Sequence, residues 1–463
     1  MQSNLSVSLK TLQRFDRPGP RYTSYPTAIE FDDSLCGEDY KAKLEEADRS
    51  GAEVPLSVYV HIPFCRKYCD FCACHVVATP HRKVAARYLE YLQEEIAAVA
   101  AHLANRRTIV QMHWGGGTPT YFSPAEIEEL CGCIRSHFSF QDDAEIGIEV
   151  DPRVTTRAHL TALIDLGFNR LSIGLQDPAP EVQEAIGRGQ TWDETEVLIR
   201  SARELGFNEG INFDLIYGLP KQKLERFEAG LDDVLRLRPD RLAIYSFAFV
   251  PWLKPNQRRL RPELFPEPAR KLELYLTALD RFLGAGYEAI GMDHFALPHD
   301  ELAIAAREGR LERNFMGYTV KPVSTMIGFG VSAIGDLEGA YFQNCKKLPA
   351  YYEAIDAGRL PIERGRLLDQ DDLLRRHVIM QLMCNFRVDK QLVSERFDID
   401  FDSYFEESLT RLKELEDAGF VNNEPEALEV PGSGKLFVRN VAMAFDRYLA
   451  AKTRAESAFS RTV

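Results

Sequence analysis

Four cysteines crowd into ten positions, Cys65, Cys69, Cys72 and Cys74, and the first three stand at the spacing C-x3-C-x2-C. On a loop directly after an apolar run, three thiolates so spaced can converge around one face of a metal centre. An iron-sulfur cluster normally takes four cysteines, so three would leave one iron open to another ligand. Zinc is the alternative, since structural zinc takes four ligands as separated pairs or mixed Cys/His sets, and Cys74 or His75 can complete such a set. The nine cysteines are an odd number, and the N-terminus lacks the pattern of an export signal. In a reducing compartment, crowding of this kind reads as metal chemistry before disulfides. Cys131 and Cys133, and likewise Cys36, Cys345 and Cys384, read as packing residues.

The elements that must position these groups follow from the apolar pattern. Candidate strands run over Leu56 to Ile62, Ile109 to Trp114, Glu145 to Val150, Arg170 to Leu175, Asn212 to Tyr217 and Arg241 to Phe247. Most are continuous apolar runs, as in strands covered on both faces. Between the first two, Leu89, Leu92, Ile96 and Val99 recur at helical spacing, with Glu90, Glu94 and Glu95 assigned to the other face. Similar helices are expected over Pro124 to His137, Thr156 to Leu166, Thr191 to Leu205 and Leu224 to Leu237. The fold class is therefore α/β, a parallel sheet with right-handed crossovers curling into a partial (β/α) barrel. Chemistry then belongs at the carboxyl ends of the strands, where HIPFC, GGGTPT, EVDP, LQD and YGLP fall.

Residues 1–50, with PGPRYTSYPTA, read as an N-terminal arm, 51–364 as the barrel domain, and 365–463 as a small, mainly helical domain. In the last, Phe405, Leu409, Leu412 and Leu415 share a face, Gly419 is a stop, and LEVPGSGKLFVRN leaves room for a two-stranded wing. Seventy acidic against 56 basic residues give a net charge of −14, the wrong sign for a general nucleic-acid or anionic-membrane surface. No apolar stretch approaches the roughly 18 to 20 residues of a spanning helix. No nucleic-acid or membrane partner is expected, and the location expected is cytoplasmic.

The cysteine loop, with YVHIPFC and HWGGGTPT, resembles the radical S-adenosylmethionine (SAM) superfamily. Within it, PGPRYTSYPTA, CxxxCxxCxC, IEVDPR, LSIGLQD, DLIYGLPKQ, GMDHFA and GVSAI resemble, in order along the chain, the oxygen-independent coproporphyrinogen III oxidase (dehydrogenase) family of haem biosynthesis. That resemblance implies a 4Fe-4S cluster on Cys65, Cys69 and Cys72 and two molecules of SAM. Electron transfer into the sulfonium releases a 5′-deoxyadenosyl radical, which takes hydrogen from the β-carbon of a propionate. Loss of carbon dioxide and one electron leaves a vinyl, and two such reactions on coproporphyrinogen III give protoporphyrinogen IX. A porphyrinogen substrate, a reducing donor such as flavodoxin or ferredoxin, and a monomeric state complete the expectation.

The resemblance also assigns residues. Gly116, Gly117 and Thr118 fall where the backbone approaches the methionine part of SAM, Tyr59 and Phe71 where aromatic contacts occur, and Glu149 where a carboxylate binds the first SAM. Contacts to a second SAM map to Gln176, Arg188, Asp214 and Ala248, with Ile334 near the adenine. The structural alternatives are a salt bridge for Asp214 and a surface position for Arg188. Cys74 is expected as a catalytic thiol beside the cluster. Related haem-trafficking proteins usually carry Phe at that place. Met316 stands where the family often has glutamine, and Arg21, Arg313 and His294 are candidates for the substrate side.

Departures gather there too, in Ala73 of the Cys72-Ala73-Cys74 triplet, Met316, the Ser324–Ile327 segment, Phe247 and Phe249. They leave room for a relative acting on haem or another large cyclic substrate, for example by methyl transfer, or for a haem-binding chaperone.

Overall fold

All six expected strands form in the computed structural model, which describes residues 9–51, 54–321 and 325–451. They are β1 (Leu56–Ile62), β2 (Thr108–Gly116), β3 (Ser139–Val150), β4 (Arg170–Gln176), β5 (Ile211–Tyr217) and β6 (Arg241–Ser246). Each pairs in parallel with its predecessor, which only intervening crossovers allow. These crossovers carry helices α1 (Arg82–Ala100), α2 (Pro124–His137), α3 (Arg157–Asp165), α4 (Trp192–Leu205) and α5 (Leu224–Leu237). Local sequence sets where they begin. At α2, the Ser123 hydroxyl accepts from the Glu126 amide while the Glu126 carboxylate accepts from the Ser123 amide, a reciprocal cap that recurs with Thr191 and Glu194 at α4.

A seventh parallel strand, β7 (Thr325–Phe329), lies on the other side of β1, and β8 (Ile334–Leu337), β9 (Ala340–Asn344) and β10 (Ile362–Leu367) extend it antiparallel. The apolar pattern did not single these strands out. They are four to six residues long, too short for periodicity to distinguish them from loop. The result is a partial (β/α) barrel with an antiparallel flank.

Glu95 corrects the helical-face assignment. It is 2% exposed and its carboxylate accepts from the Tyr351 hydroxyl (2.6 Å), the Gly330 amide (2.7 Å) and the Asn344 side-chain amide (2.6 Å). It therefore ties α1 to the segments flanking β7 and β9. Burial pushes its carboxyl up to about 7, despite those three donors. A raised carboxyl makes the folded state bind its proton more tightly than the unfolded chain. Stability is then lost as pH rises from about 4.5 to about 7. Glu95→Gln cannot ionise, so the stability difference between parent and variant should move in the variant's favour by up to about 3 kcal/mol between pH 4.5 and pH 8. Urea unfolding of the apoprotein at both pH values reads this directly, and parallel behaviour would contradict it.

The chain divides into two compact units. Phe31–Glu267 with Lys321–Leu367 holds the sheet. The other unit comprises the described residues up to Glu30, Pro268–Val320 and those from Leu368 onward. Its core joins helix α6 (Gln370–Asn385) and helix α7 (Glu406–Asp417) to the arm. Phe15, Tyr22 and Tyr25 of the arm are at most 1% exposed, and the Tyr22 hydroxyl donates to Asp446 at 2.9 Å. Phe405, Leu412 and Leu415 are buried on one face, and Gly419 stands at φ 74° just beyond α7. In LEVPGSGKLFVRN only the first residues are extended, with Ala427–Glu429 paired to Arg387–Asp389 and Asn422–Asn423. Gly432–Phe437 turns as a 3-10 helix, so this small sheet has three strands. Cys131, Cys345 and Cys384 are buried as expected, but Cys36 is exposed at a helix start, its thiol donating to Asp39 at 3.1 Å. Among the described residues no helix is long and apolar enough to cross a membrane.

Candidate active site

Strand β1 ends at Ile62 and the chain enters the cysteine loop, which is closed at its base by pairing of Phe64–Cys65 with Val77–Ala78. Asn256 holds the middle of the loop. Its side-chain amide donates to the carbonyls of Cys69 (3.1 Å), Asp70 (3.3 Å) and Cys72 (2.9 Å), while Gln257 donates to that of Phe71 (2.9 Å). Arg259 pairs with Asp70 at 2.6 Å. Sequence reading missed Asn256, because nothing in KPNQRR marks a side chain that acts on backbone nearly 190 positions away. Asn256→Leu keeps the size and removes the donors, at about 1 kcal/mol per lost hydrogen bond. Iron and sulfide per chain after anaerobic reconstitution should fall at least threefold, whereas full loading would mean that the loop holds its own shape.

The three thiols and Cys74 line one cavity of about 290 Å³. Each of the three sulfurs meets donors. The Cys65 sulfur is 3.3 Å from the Thr118 hydroxyl, and that of Cys69 is 3.7 and 3.8 Å from guanidinium nitrogens of Arg153 and Arg188. The Cys72 sulfur accepts from the Cys74 amide at 3.4 Å. Burial pushes the Cys65 thiol up to about 12, against the Thr118 bond. A separate hydrogen bond from the Cys74 thiol lowers the Cys72 thiol, against the burial that raises it, and that same side-chain bond raises Cys74. Hydrogen-bonded sulfurs facing a common cavity fit a cluster held by thiolates. Among the described residues no three Cys, His, Asp or Glu side chains close around a single metal ion.

The next wall is the glycine run at the end of β2. Gly116 has φ 119°, and a Cβ there would stand 2.7 Å from the His61 ring. One on Gly117 would stand 2.5 Å from the Pro63 carbonyl oxygen. Close packing of the chain against itself thus requires these glycines. Beside them the Gly116 amide donates to Glu149 at 3.1 Å, and the His113 ring lies 3.7 Å from the same carboxylate. Burial raises the Glu149 carboxyl, but His113 and the Gly116 amide overcome it and hold it below the usual carboxylate range.

Across β3, β4 and β5 the register puts Ser172 beside Glu149 and Asn212 beside Ser172. Both neighbours serve Asp214, which accepts from Ser172 (3.0 Å) and Asn212 (2.9 Å). Burial lifts Asp214 to about 6, against those bonds. It is therefore satisfied by neutral donors and not by a salt bridge. Arg188 is also no surface residue, for its side chain is 9% exposed and donates to the Gly174 carbonyl at 2.7 Å. Gln176 holds φ 67°, a left-handed conformation uncommon outside glycine, and turns into the cavity lining with Arg188, Asp214 and Phe71.

Three expected contacts stand outside that lining. Tyr59 on β1 donates to His61 at 3.0 Å and stacks on His113. Ala248 follows β6, its carbonyl accepting from Gln257 (3.1 Å), and Ile334 opens β8. In the second unit Met316 sits at the tip of the hairpin formed by Glu312–Asn314 and Gly317–Thr319, its amide donating to Asn314 at 2.8 Å. There Arg313 stacks on Tyr318, Arg21 pairs with Asp293, and the His294 ring meets Tyr318 edge-on. Ser324 falls outside the described residues. Asp151, Arg153 and Ser172 line the cavity without having been singled out, although two of them lie within the IEVDPR motif.

A cysteine loop after the first strand of a partial barrel, facing a glycine run and strand-end carboxylates, defines a radical SAM protein. The Radical SAM superfamily model matches residues 59–234 and the HemN C-terminal domain model residues 368–437. The chain is 44% identical over 455 residues to the oxygen-independent coproporphyrinogen III oxidase of Escherichia coli (strain K12), covering 98% of each. With that of Helicobacter pylori (strain J99) it shares 43% over 459 residues, 99% of this chain and 100% of the relative. The solved coproporphyrinogen III oxidase (HemN) of Escherichia coli superposes with a TM-score of 0.89 at 43% identity, over 92% of this chain and 97% of the other. The chain belongs to the oxygen-independent coproporphyrinogen III oxidase family of radical SAM enzymes. A 4Fe-4S cluster and SAM are the cofactors that this family implies.

Proposed function

We propose that this chain converts coproporphyrinogen III to protoporphyrinogen IX by oxygen-independent oxidative decarboxylation of two propionates, using two molecules of SAM. The observation that carries the reading is the single cavity shared by the three thiols, the Gly116–Thr118 turn, Glu149, Gln176, Arg188 and Asp214. Cys65, Cys69 and Cys72 would hold a 4Fe-4S cluster, which when bound would supply the electron for reductive cleavage of SAM and so the radical chemistry that removes one hydrogen atom from a propionate β-carbon. The carboxylate then leaves as carbon dioxide, one electron passes to an acceptor, and a vinyl remains.

The residues divide this work. Cys65, Cys69 and Cys72 hold the cluster, and the glycine turn and Glu149 receive the first SAM, the carboxylate suiting its ammonium. Arg188 suits the carboxylate of the second, and Gln176 and Asp214 its polar groups, with Phe71 in the same lining, while the SAM contacts of Tyr59, Ala248 and Ile334 rest on the family resemblance alone. Cys74 holds a thiol proton beside Cys72. Met316, a weak acceptor with a flexible apolar body, is the residue that the family resemblance assigns to the substrate side. The donor is a one-electron carrier such as flavodoxin or ferredoxin, and the working form is a cytoplasmic monomer.

Anaerobic turnover of reduced protein with coproporphyrinogen III tests this reading. Each porphyrinogen should consume two SAM and release two carbon dioxides, with a mono-vinyl intermediate appearing first. Methylated product, or tight haem binding with no 5′-deoxyadenosine formed, would replace it.

A further inference from the structure

The charges around the three thiols are unevenly placed. Cys65 meets one neutral hydroxyl and Cys72 the amide and thiol of Cys74, with Lys254 and Arg188 acting on it through charge alone, whereas Cys69 takes hydrogen bonds from two guanidinium groups. Arg153 is built in on all sides. Its Nε lies 2.9 and 3.2 Å from the two Asp151 oxygens, Nη2 reaches Asp151 at 2.5 Å and the Cys69 sulfur at 3.7 Å, and Nη1 donates to the Arg188 carbonyl at 2.6 Å. Arg188 completes the set, with Nη1 3.8 Å from the same sulfur and Nη2 3.6 Å from Asp151. The side chains of Asp151, Arg188 and Arg153 are only 8%, 9% and 24% exposed. Two fixed positive charges and one negative therefore act on one sulfur with little water between them.

We propose that Arg153, acting with Arg188 on the Cys69 thiolate, raises the reduction potential of the iron-sulfur cluster, and that Asp151 both fixes the guanidinium groups and moderates their charge. The inference rests on the reading of Cys65, Cys69 and Cys72 as cluster ligands. Reduction adds negative charge to the cluster, so a cation or N–H donor at a coordinating sulfur favours the reduced state. Partial burial strengthens the effect, since charges interact more strongly where the effective dielectric is low. Arg153 isolates it, because Arg188 is also assigned to the second SAM.

The test is a potentiometric titration of the anaerobically reconstituted full chain without SAM, followed by electron paramagnetic resonance, with iron counted per chain. At the potential where the parent is half reduced, Arg153→Gln should show about a tenfold lower ratio of reduced to oxidised cluster, about 59 mV for one electron. Asp151→Asn removes the opposing charge and should raise the ratio. Opposite shifts from two neighbours are not what general loosening of the loop would give. A fully loaded Arg153→Gln protein with an unchanged or higher ratio overturns the proposal. If that variant holds no cluster, Asp151→Asn decides, and an unchanged or lower ratio overturns it equally. A parent that takes up zinc and no iron would instead remove the cluster reading beneath it.

Discussion

Single replacement of Cys65, Cys69 or Cys72 by alanine is expected to abolish SAM cleavage, by at least a thousandfold, together with most of the bound iron. The three sulfurs share one cavity and each meets its own donors, so no sulfur is spare. Cys74→Ala should behave differently, because three thiolates suffice for the cluster. It should keep its iron and lose porphyrinogen turnover. Cys131 and Cys384 are buried and do not line the cavity, so their alanine variants should retain full iron. Colorimetric iron and sulfide, with 5′-deoxyadenosine measured after reduction, separate these cases. Full iron in any of the first three variants would move the cluster elsewhere.

Gly117→Ala should cut SAM cleavage at least a hundredfold, or about 2.7 kcal/mol in the barrier. The added Cβ would stand 2.5 Å from the Pro63 carbonyl oxygen, 2.6 Å from its carbon and 2.8 Å from the Phe64 oxygen. These are backbone atoms, so no rotamer change relieves the overlap. The two segments are also stitched together, the Gly117 amide donating to the Ile62 carbonyl and the Thr118 amide to the Phe64 carbonyl, each at 2.9 Å. A forced separation therefore drags Cys65 away from Thr118, and misplacement near 1 Å is enough to cost about a hundredfold. Gly132 on α2 is the control, since a Cβ there meets nothing within 4 Å. Gly132→Ala should leave activity unchanged. Cleavage within threefold of the parent in Gly117→Ala would show that the turn can yield.

The sequence by itself determined whatever depends on local pattern. Continuous apolar runs marked β1 to β6, helical periodicity placed α2 and α5 to the residue, and the cysteine spacing pointed to metal chemistry on one loop before any partner was visible. Those signals act between near neighbours, where residue type alone sets conformation. Long-range placement was a tertiary matter. Glu95 belongs by charge to a solvated face, yet Tyr351, Gly330 and Asn344, all more than 230 positions away, make a buried site for it. Asn256 became a clamp only when its turn met the cysteine loop, and Arg153 became more than a motif residue only when folding set it against Cys69. The glycines of HWGGGTPT were legible as permissive backbone, but the atoms they must avoid belong to β1 and its exit. Hydrogen bonds and close contacts between distant segments leave no periodic trace, because each needs one suitable side chain and a fold that delivers it.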